Sequence, residues 1–332
     1  MKNQTTLAGG RMSFAIAVSL CIWFTAYPIC AVAQNRGNNA VFNSNAKCFS
    51  TTSCGFSGAF IDASTFASPQ LPNICAVLNS ILNSLSNSVG AVIDARGLPG
   101  AGSSMQCTAS PWAGITGPTP ATILLPAGTI LIPKSWILPT NTHLIGEGDN
   151  PSSATSTAGT TIQACKSTIN TCTFSDSAMI QFGSSSAPGI SVEKITLDGQ
   201  GQSINGIVNS NSSSQTYVDR ITLFQILGVG LLLESNASYS GPYTNITFDT
   251  GKTYAGQPQT TCAQLYNVTG GTHGIHGLTC ISQTADANSA ILLDSSNNSI
   301  EDVTHRGLLQ WDRPRFAGPG AEQCAIQYQR QH

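Results

Sequence analysis

The sequence predicts an all-β chain wound as a right-handed parallel β-helix, with one short capping helix near its start. Three observations lead there. Short apolar runs separated by Gly, Pro, Asn and Ser fill the chain from Val89 onward. A motif recurs in the second half at steps of 26, 25, 32 and 25 residues, measured between Ile195, Ile221, Ile246, Leu278 and Val303. Charged residues make up only 9% of the chain, against about 25% in an average soluble domain, as suits a surface of stacked turns.

The first 33 residues read as an export signal. Lys2 and Arg11 form a basic start, an apolar run extends from Phe14 to Phe24, and Pro28 precedes Ala31-Val-Ala33, which places cleavage before Gln34. The run is shorter than the roughly 20 apolar residues a spanning helix needs. The expected location is therefore extracellular or periplasmic, with no membrane span in the mature chain. Removing Lys2 and Arg11 takes the formal charge from −2 to −4. No basic stripe remains to grip nucleic acid or anionic lipid.

A polar leader occupies residues 34–70. Ile74, Val77, Leu78, Ile81, Leu82 and Leu85 then recur at helical spacing, and Gly90 follows as a stop. A terminal repeat needs a cover over its open apolar end, and this helix is expected to supply it. The β-helix domain spans residues 71–306 with the helix included.

Within that domain the repeat decides the architecture. Val192-Glu-Lys-Ile-Thr-Leu197 returns as Val218-Asp-Arg-Ile-Thr-Leu223, then as Tyr243-Thr-Asn-Ile-Thr-Phe248 and Ile300-Glu-Asp-Val-Thr-His305, with Leu278-Thr-Cys280 between the last two. Each anchor is followed by a second apolar run, such as Gly206-Ile-Val208, Gly230-Leu-Leu-Leu233 or Ala290-Ile-Leu-Leu293. A period of this size means a repeat architecture. Its units hold strands and turns but no helix, which excludes ankyrin, TPR and HEAT arrays. The Leu/Asn register of a leucine-rich repeat is absent as well. Side chains alternate along a strand, so Ile195 and Leu197 face inward while Thr196 and Asp198 face outward. Stacking puts Ile195, Ile221 and Ile246 in one buried column. The 32-residue step implies a longer loop around Gly251 to Gln259, and such insertions gather on the binding face.

Of eleven cysteines, two leave with the signal. Export makes disulfides the default state of the rest, and their spacing forms no paired zinc knuckles. The most local pairing is Cys48–Cys54, Cys75–Cys107, Cys165–Cys172 and Cys262–Cys280, one of many connectivities that eight cysteines allow. Cys324 is left over.

Ala121-Thr-Ile-Leu-Leu-Pro-Ala-Gly-Thr-Ile-Leu-Ile132 resembles the first strand pair of the pectate-lyase-like superfamily of β-helices. Leu138-Pro-Thr-Asn-Thr-His-Leu-Ile-Gly-Glu-Gly148 resembles the following coil, and Ile195-Thr-Leu-Asp-Gly199 a later one. The resemblance covers about Ala91 to Arg306. It implies a right-handed β-helix and carbohydrate-active biology, with Glu147 at a tight turn between coils. It does not imply a reaction, because this fold hosts lyases, hydrolases, epimerases and inert stalks. The Asn-Thr-Asp, paired-Asp and Arg-Ile-Lys signatures of polygalacturonases are missing, and Gly271-Thr-His-Gly274 with Ile275-His-Gly277 only faintly matches their Gly-His-Gly. The basic signatures of calcium-dependent pectate lyases are missing too, so calcium has no supporting motif and the metal and cofactor remain open.

Position in the stack nominates site residues. Three after each anchor stand Asp198, Phe224, Asp249, Ile281 and Arg306. Asp198 and Asp249 lie two coils apart, roughly 9–10 Å at ordinary strand spacing, near the upper end of the roughly 6.5–9.5 Å carboxylate separation of inverting glycosidases. They are the candidate catalytic pair, with Phe224 as a sugar-stacking ring and Arg306 as a contact for a uronate carboxylate. The alternative is turn chemistry, since Asp-Gly commonly ends a strand. His273 and His276 are second catalytic candidates, as general bases near neutral pH or as structural hydrogen-bonders between coils. Glu193, Lys194, Asp219 and Arg220 read as cross-coil partners on a solvated face.

The functional expectation is a secreted protein that binds or cleaves an extracellular polysaccharide, with a uronate polymer as one candidate, by glycosidic hydrolysis or β-elimination. The alternative is a non-catalytic surface or adhesive β-helix protein, or an inactive truncated member of an enzyme family. Both readings and the oligomeric state stay open at this point. Residues 307–332 read as an aberrant tail, holding Trp311-Asp-Arg-Pro-Arg315 and Gln327-Tyr-Gln-Arg-Gln331 without strand periodicity. Codons for this tail shifted by one base can spell Tyr-Asn-Gly-Ile-Val, close to Ile204-Asn-Gly-Ile-Val208 of an earlier coil. A frameshift or truncation is the expectation there.

Overall fold

Strands of four or five residues with one apolar face cannot bury that face alone. In the computed structural model they do so by stacking in parallel, one coil on the next. The structure describes residues 60–85, 90–98, 105–117, 119–149, 159–165, 172, 174, 178–251, 260–268, 270–281, 290–294, 298–306 and 326–328, all within the unit Ser50–His332. The expected signal, Cys48, Cys54, Cys324 and most of the leader and tail lie outside these residues.

The strands run β1 (Phe60–Asp62), β2 (Ala91–Asp94), β3 (Ala121–Leu124), β4 (Gly128–Ile132), β5 (Trp136–Leu138), β6 (Thr142–Ile145), β7 (Thr160–Ala164) and β8 (Ala178–Phe182). Regular coils follow, each with two strands: β9 (Ser191–Gln202) and β10 (Asn205–Asn209), β11 (Tyr217–Ile226) and β12 (Val229–Glu234), β13 (Tyr243–Asp249) and β14 (Thr261–Tyr266), β15 (Ile275–Ile281) and β16 (Ala290–Asp294). Then come β17 (Ile300–Arg306) and β18 (Ile326–Tyr328). One sheet has the order β1-β2-β3-β6-β9-β11-β13-β15-β17-β18, with β4 paired to β7 and β7 to β9. A smaller sheet has the order β16-β14-β12-β10-β8-β5. Every pairing between named strands is parallel. The result is an all-β stack with the architecture of a parallel solenoid.

Register is kept from coil to coil. Ile195, Ile221, Ile246 and Leu278 stand opposite one another, as do Val192, Val218, Tyr243 and Ile275, and Leu197, Leu223, Phe248 and Cys280. All twelve are at most 1% exposed. Each full burial of such a side chain contributes about 1.5–3 kcal/mol, so these columns are the main stabilising feature of the regular coils.

Between the outward part of each strand and its anchor the backbone bends. Lys194, Arg220, Asn245, Gly277 and Asp302 all have φ between 50° and 70°, the left-handed region. Each immediately precedes an anchor. The bend turns the strand around the core, and it recurs because each coil must wrap the same cross-section. Against it packs Gly146, where a Cβ would fall 2.3 Å from the Lys194 carbonyl oxygen, so glycine alone permits the approach.

Coil length varies more on one side than on the other. From Ile207 to Ile221, Leu231 to Ile246, Ala263 to Leu278 and Ile291 to Val303 the returns span 14, 15, 15 and 12 residues. The outgoing arcs, Ile195 to Ile207, Ile221 to Leu231, Ile246 to Ala263 and Leu278 to Ile291, span 12, 10, 17 and 13. The extra residues of the long step therefore lie between Ile246 and Ala263; residues 252–259, where the sequence suggests the loop, are outside those described.

Helix α1 (Ile74–Ser84) is the single α-helix among the described residues. The Asn73 side chain accepts from the Ala76 N–H at 2.9 Å and caps its start. It ends before Gly90, with the Leu85 N–H bonded back to the Leu82 carbonyl. Ile74, Val77, Leu78, Ile81 and Leu82 are buried in the same apolar cluster as Ile93 and Ile123 of the first coils. The disulfide Cys75–Cys107 ties the helix to that end. Cys165 bonds Cys172, and Cys262 of β14 bonds Cys280 of β15, so this last bridge joins the two sheets through the core. No helix among the described residues is long and apolar enough to cross a membrane. In the tail, where no strand periodicity is visible, Ile326–Tyr328 pairs with β17, since an edge strand offers main-chain partners regardless of side-chain pattern.

The left-handed bend makes a direct prediction. Lys194→Gly should leave the melting temperature unchanged or raise it, whereas Lys194→Val should cost about 1–2 kcal/mol, read by chemical denaturation. Equal stability of both variants would show that the bend imposes no backbone constraint.

Candidate functional site

The coil register brings the candidate residues of the larger sheet into one row. Asp198 faces Phe224, Phe224 faces Asp249, Asp249 faces Ile281, and Arg306 takes the next position. Upstream, Gln163 of β7 precedes Asp198 in the same row. Its two carboxylates are covered: Asp198 is 0% exposed and Asp249 4%, whereas Gln163, Phe224 and Ile281 are half-buried.

Hydrogen bonds explain how carboxylates are tolerated there. Asp198 Oδ1 accepts the Gln200 N–H at 2.9 Å. Its Oδ2 accepts from Gln163 Nε2 at 2.9 Å and from Gln200 Nε2. Asp249 Oδ1 accepts the Gly251 N–H at 2.9 Å. The same bond, from an aspartate to the N–H two residues on, closes β1 at Asp62 and β2 at Asp94. Four strands thus use one turn device. A buried carboxylate must be hydrogen-bonded, and the Asp198 oxygens receive three donors. That arrangement holds a corner of the coil.

Of the two candidate histidines, His273 is held through its backbone and His276 through its ring. The His273 backbone N–H donates to the Ser240 carbonyl at 2.7 Å, linking two loops. His276 lies on β15 opposite Thr244 and Glu301. Its Nδ1 is 3.3 Å from Glu301 Oε2, and its Nε2 is 3.2 Å from the His273 carbonyl oxygen. Both partners are acceptors, so only the doubly protonated ring donates to both at once.

Two further rows lie on this face. Thr129, Thr161, Thr196, Thr222, Thr247, Thr279 and Thr304 stand in register across seven strands. Thr161, Thr196 and Thr222 are covered, and the Thr222 hydroxyl bonds Asp149 Oδ2 at 3.3 Å, while Thr247, Thr279 and Thr304 are partly exposed. Beside them runs Glu193, Asp219, Thr244, His276 and Glu301. Asp219 accepts from Thr244 Oγ1, Asn245 Nδ2 and Arg220 Nε at 2.7, 2.9 and 2.9 Å. Burial pushes its carboxyl up, but those bonds and the Arg220 charge outweigh it, and the pKa is lowered.

At the upstream end His143, Ser191, Glu193 and Tyr217 gather. His143 Nδ1 lies 2.9 Å from Ser191 Oγ, and the Tyr217 hydroxyl donates to Glu193 Oε1 at 2.7 Å. Burial lowers the His143 pKa, against the pull of Glu193, while burial and then the bond to Glu193 raise that of Tyr217. Sequence reasoning passed over the threonine row and this cluster. The signal was present: the residue after every anchor is Thr, and those two and four before it are polar in several repeats.

Among the described residues no group of three or more His, Cys, Asp or Glu side chains is placed to hold a metal ion. Compared with protein-family models, curated proteins and solved structures, the chain matches none.

Two predictions follow from this geometry. Asp198→Asn puts an amide N–H donor where a carboxylate oxygen accepts, facing donors from Gln163 and Gln200, and should destabilise the fold by about 1–3 kcal/mol, measured by thermal or denaturant melting. Because the Asp219 pKa is depressed on folding, its contribution is present above the unfolded carboxylate pKa of about 3.9 and lost as pH falls through the folded value. The wild type should lose more melting temperature between neutral pH and about pH 3 than Asp219→Asn does. Parallel losses would remove Asp219 from the acid response.

Proposed function

We propose that the chain is an exported, right-handed parallel β-helix of the pectate-lyase-like kind that binds an extracellular polysaccharide. Right-handedness is supported by the parallel sheets, because crossovers between parallel strands take that hand in about 98% of cases. Export is supported by the N-terminal signal pattern and by three disulfides among the described residues.

The observation that carries the binding reading is repetition of polar groups once per coil, in the partly exposed threonines Thr247, Thr279 and Thr304 and in the row from Glu193 to Glu301. A polymer with one hydroxyl-bearing unit after another matches a surface of donors and acceptors repeating at about 4.8 Å. Cleavage, by glycosidic hydrolysis or β-elimination, is the second activity considered for this face. Binding is favoured over it because the Asp198 and Asp249 carboxylates already accept turn hydrogen bonds. The same fact supports the reading of a non-catalytic surface or adhesive protein.

A panel of neutral and uronate-containing polysaccharides tests this. Retention by at least one polymer is expected, without new reducing ends and without unsaturated-uronate absorbance. Product formation by the wild type that is lost in Asp198→Asn and Asp249→Asn variants still folded at the assay temperature would restore the catalytic pair and reject the binding-only reading.

A further inference from the structure

The larger sheet's outer rows are polar, whereas those of the smaller sheet mix polar residues with exposed apolar ones. Four large apolar side chains are exposed among the described residues: Phe60 (48%), Tyr239 (64%), Tyr266 (48%) and Leu292 (39%). Single exposed apolar residues need no explanation. Three of these four, however, belong to one side of consecutive coils.

Tyr266 ends β14 and stands in register with Glu234 of β12 and Asp294 of β16. Leu292, two residues before Asp294, is its diagonal neighbour, in a row with Gln264 and Leu232. Tyr239 reaches the same coil from the loop after β12. Its N–H donates to the Gly271 carbonyl at 2.7 Å. Its ring lies against Gly270, where an added Cβ would be 2.9 Å from two ring carbons. Gly270 follows Tyr266 by four residues along the chain. Glu234 Oε2 accepts from Ser210 Oγ at 2.8 Å, and its other oxygen has no hydrogen-bond partner among the described residues.

We propose that Tyr239, Tyr266, Leu292 and Glu234 form a platform for a neutral sugar ring of the bound polysaccharide. The proposal rests on the polysaccharide-binding reading and adds the site and the class of sugar. Aromatic faces and an aliphatic side chain cover the C–H face of a pyranose, while the phenol hydroxyls and the Glu234 carboxylate bond its hydroxyls. Charge selects the class. The Glu234 carboxylate stands in register beside Tyr266, so a polyuronate meets like charge there and a neutral, hydroxyl-rich chain does not.

Affinity electrophoresis of the full chain tests the platform, in gels holding a neutral glucan, xylan or galactan, or polygalacturonate with and without calcium. A neutral polymer should retard the wild type. Tyr266→Ala and Tyr239→Ala should each weaken that binding at least tenfold without moving the melting temperature, because both rings are largely exposed. Tyr266→Phe, which keeps the ring, should retain most of it. Neutral-polymer binding that survives the Tyr239→Ala/Tyr266→Ala double variant would overturn the site while leaving polysaccharide binding standing. Retardation by polygalacturonate alone would overturn the class of sugar. No retardation by any polymer would overturn both this inference and the reading it rests on.

Discussion

Main-chain hydrogen bonding between parallel coils is the constraint on which the rest of this structure depends. Each strand of the regular coils satisfies its N–H and C=O groups with the strands before and after it, and side chains alternate with a period of two. A slip of one residue would turn every inward side chain outward. Register is therefore strongly specified, and any residue type that recurs in the sequence becomes a physical column. The apolar columns of Ile195, Val192 and Leu197 fill the core, the threonine row forms a second column that is covered at Thr161, Thr196 and Thr222 and partly exposed in the downstream coils, and the left-handed residues mark the bend.

The bend shows what the column arrangement tolerates. Lysine, arginine, asparagine, glycine and aspartate occupy equivalent left-handed positions at Lys194, Arg220, Asn245, Gly277 and Asp302. No β-branched residue is among them, which fits the steric cost of that region for a branched side chain. Variation in length is unevenly shared as well. Returns from the smaller sheet to the larger one span 12 to 15 residues, whereas the opposite arcs span 10 to 17 and absorb the insertion between Ile246 and Ala263. Just after that insertion, Cys262 is bonded to Cys280. A bridge closing a loop of this size contributes about 3 kcal/mol in the chain-entropy description, and it pins the coil whose connection is longest.

Carboxylates in this fold differ by what surrounds them rather than by type. Asp198 is wholly buried and receives three donors, which makes it a corner. Asp219 is partly exposed and gathers Thr244, Asn245 and Arg220 from its own and the next coil, which makes it a clasp between coils. Glu234 stands at the surface beside an exposed ring and keeps one oxygen unpartnered among the described residues. Only the last has the combination of exposure and unused hydrogen-bonding capacity that ligand recognition requires.

By itself the sequence determined the architecture and much of the register. The recurrence of an apolar anchor followed by threonine is a period that only stacked strands accommodate, and the anchors chosen from it are the residues that pair. Local cysteine spacing likewise anticipates the bridges at Cys75, Cys165 and Cys262. Burial of the outward row was decided only by tertiary structure. Alternation says that Asp198 and Thr196 face away from the core, but not that other parts of the chain cover them. Gln163 and Gln200 close over Asp198, and Asp149 reaches Thr222 from 73 residues away. Nor does alternation tell that Tyr239 leans across to Gly270 of the next coil. Periodicity is a property of neighbours along the chain, whereas cover comes from loops whose paths follow no repeat.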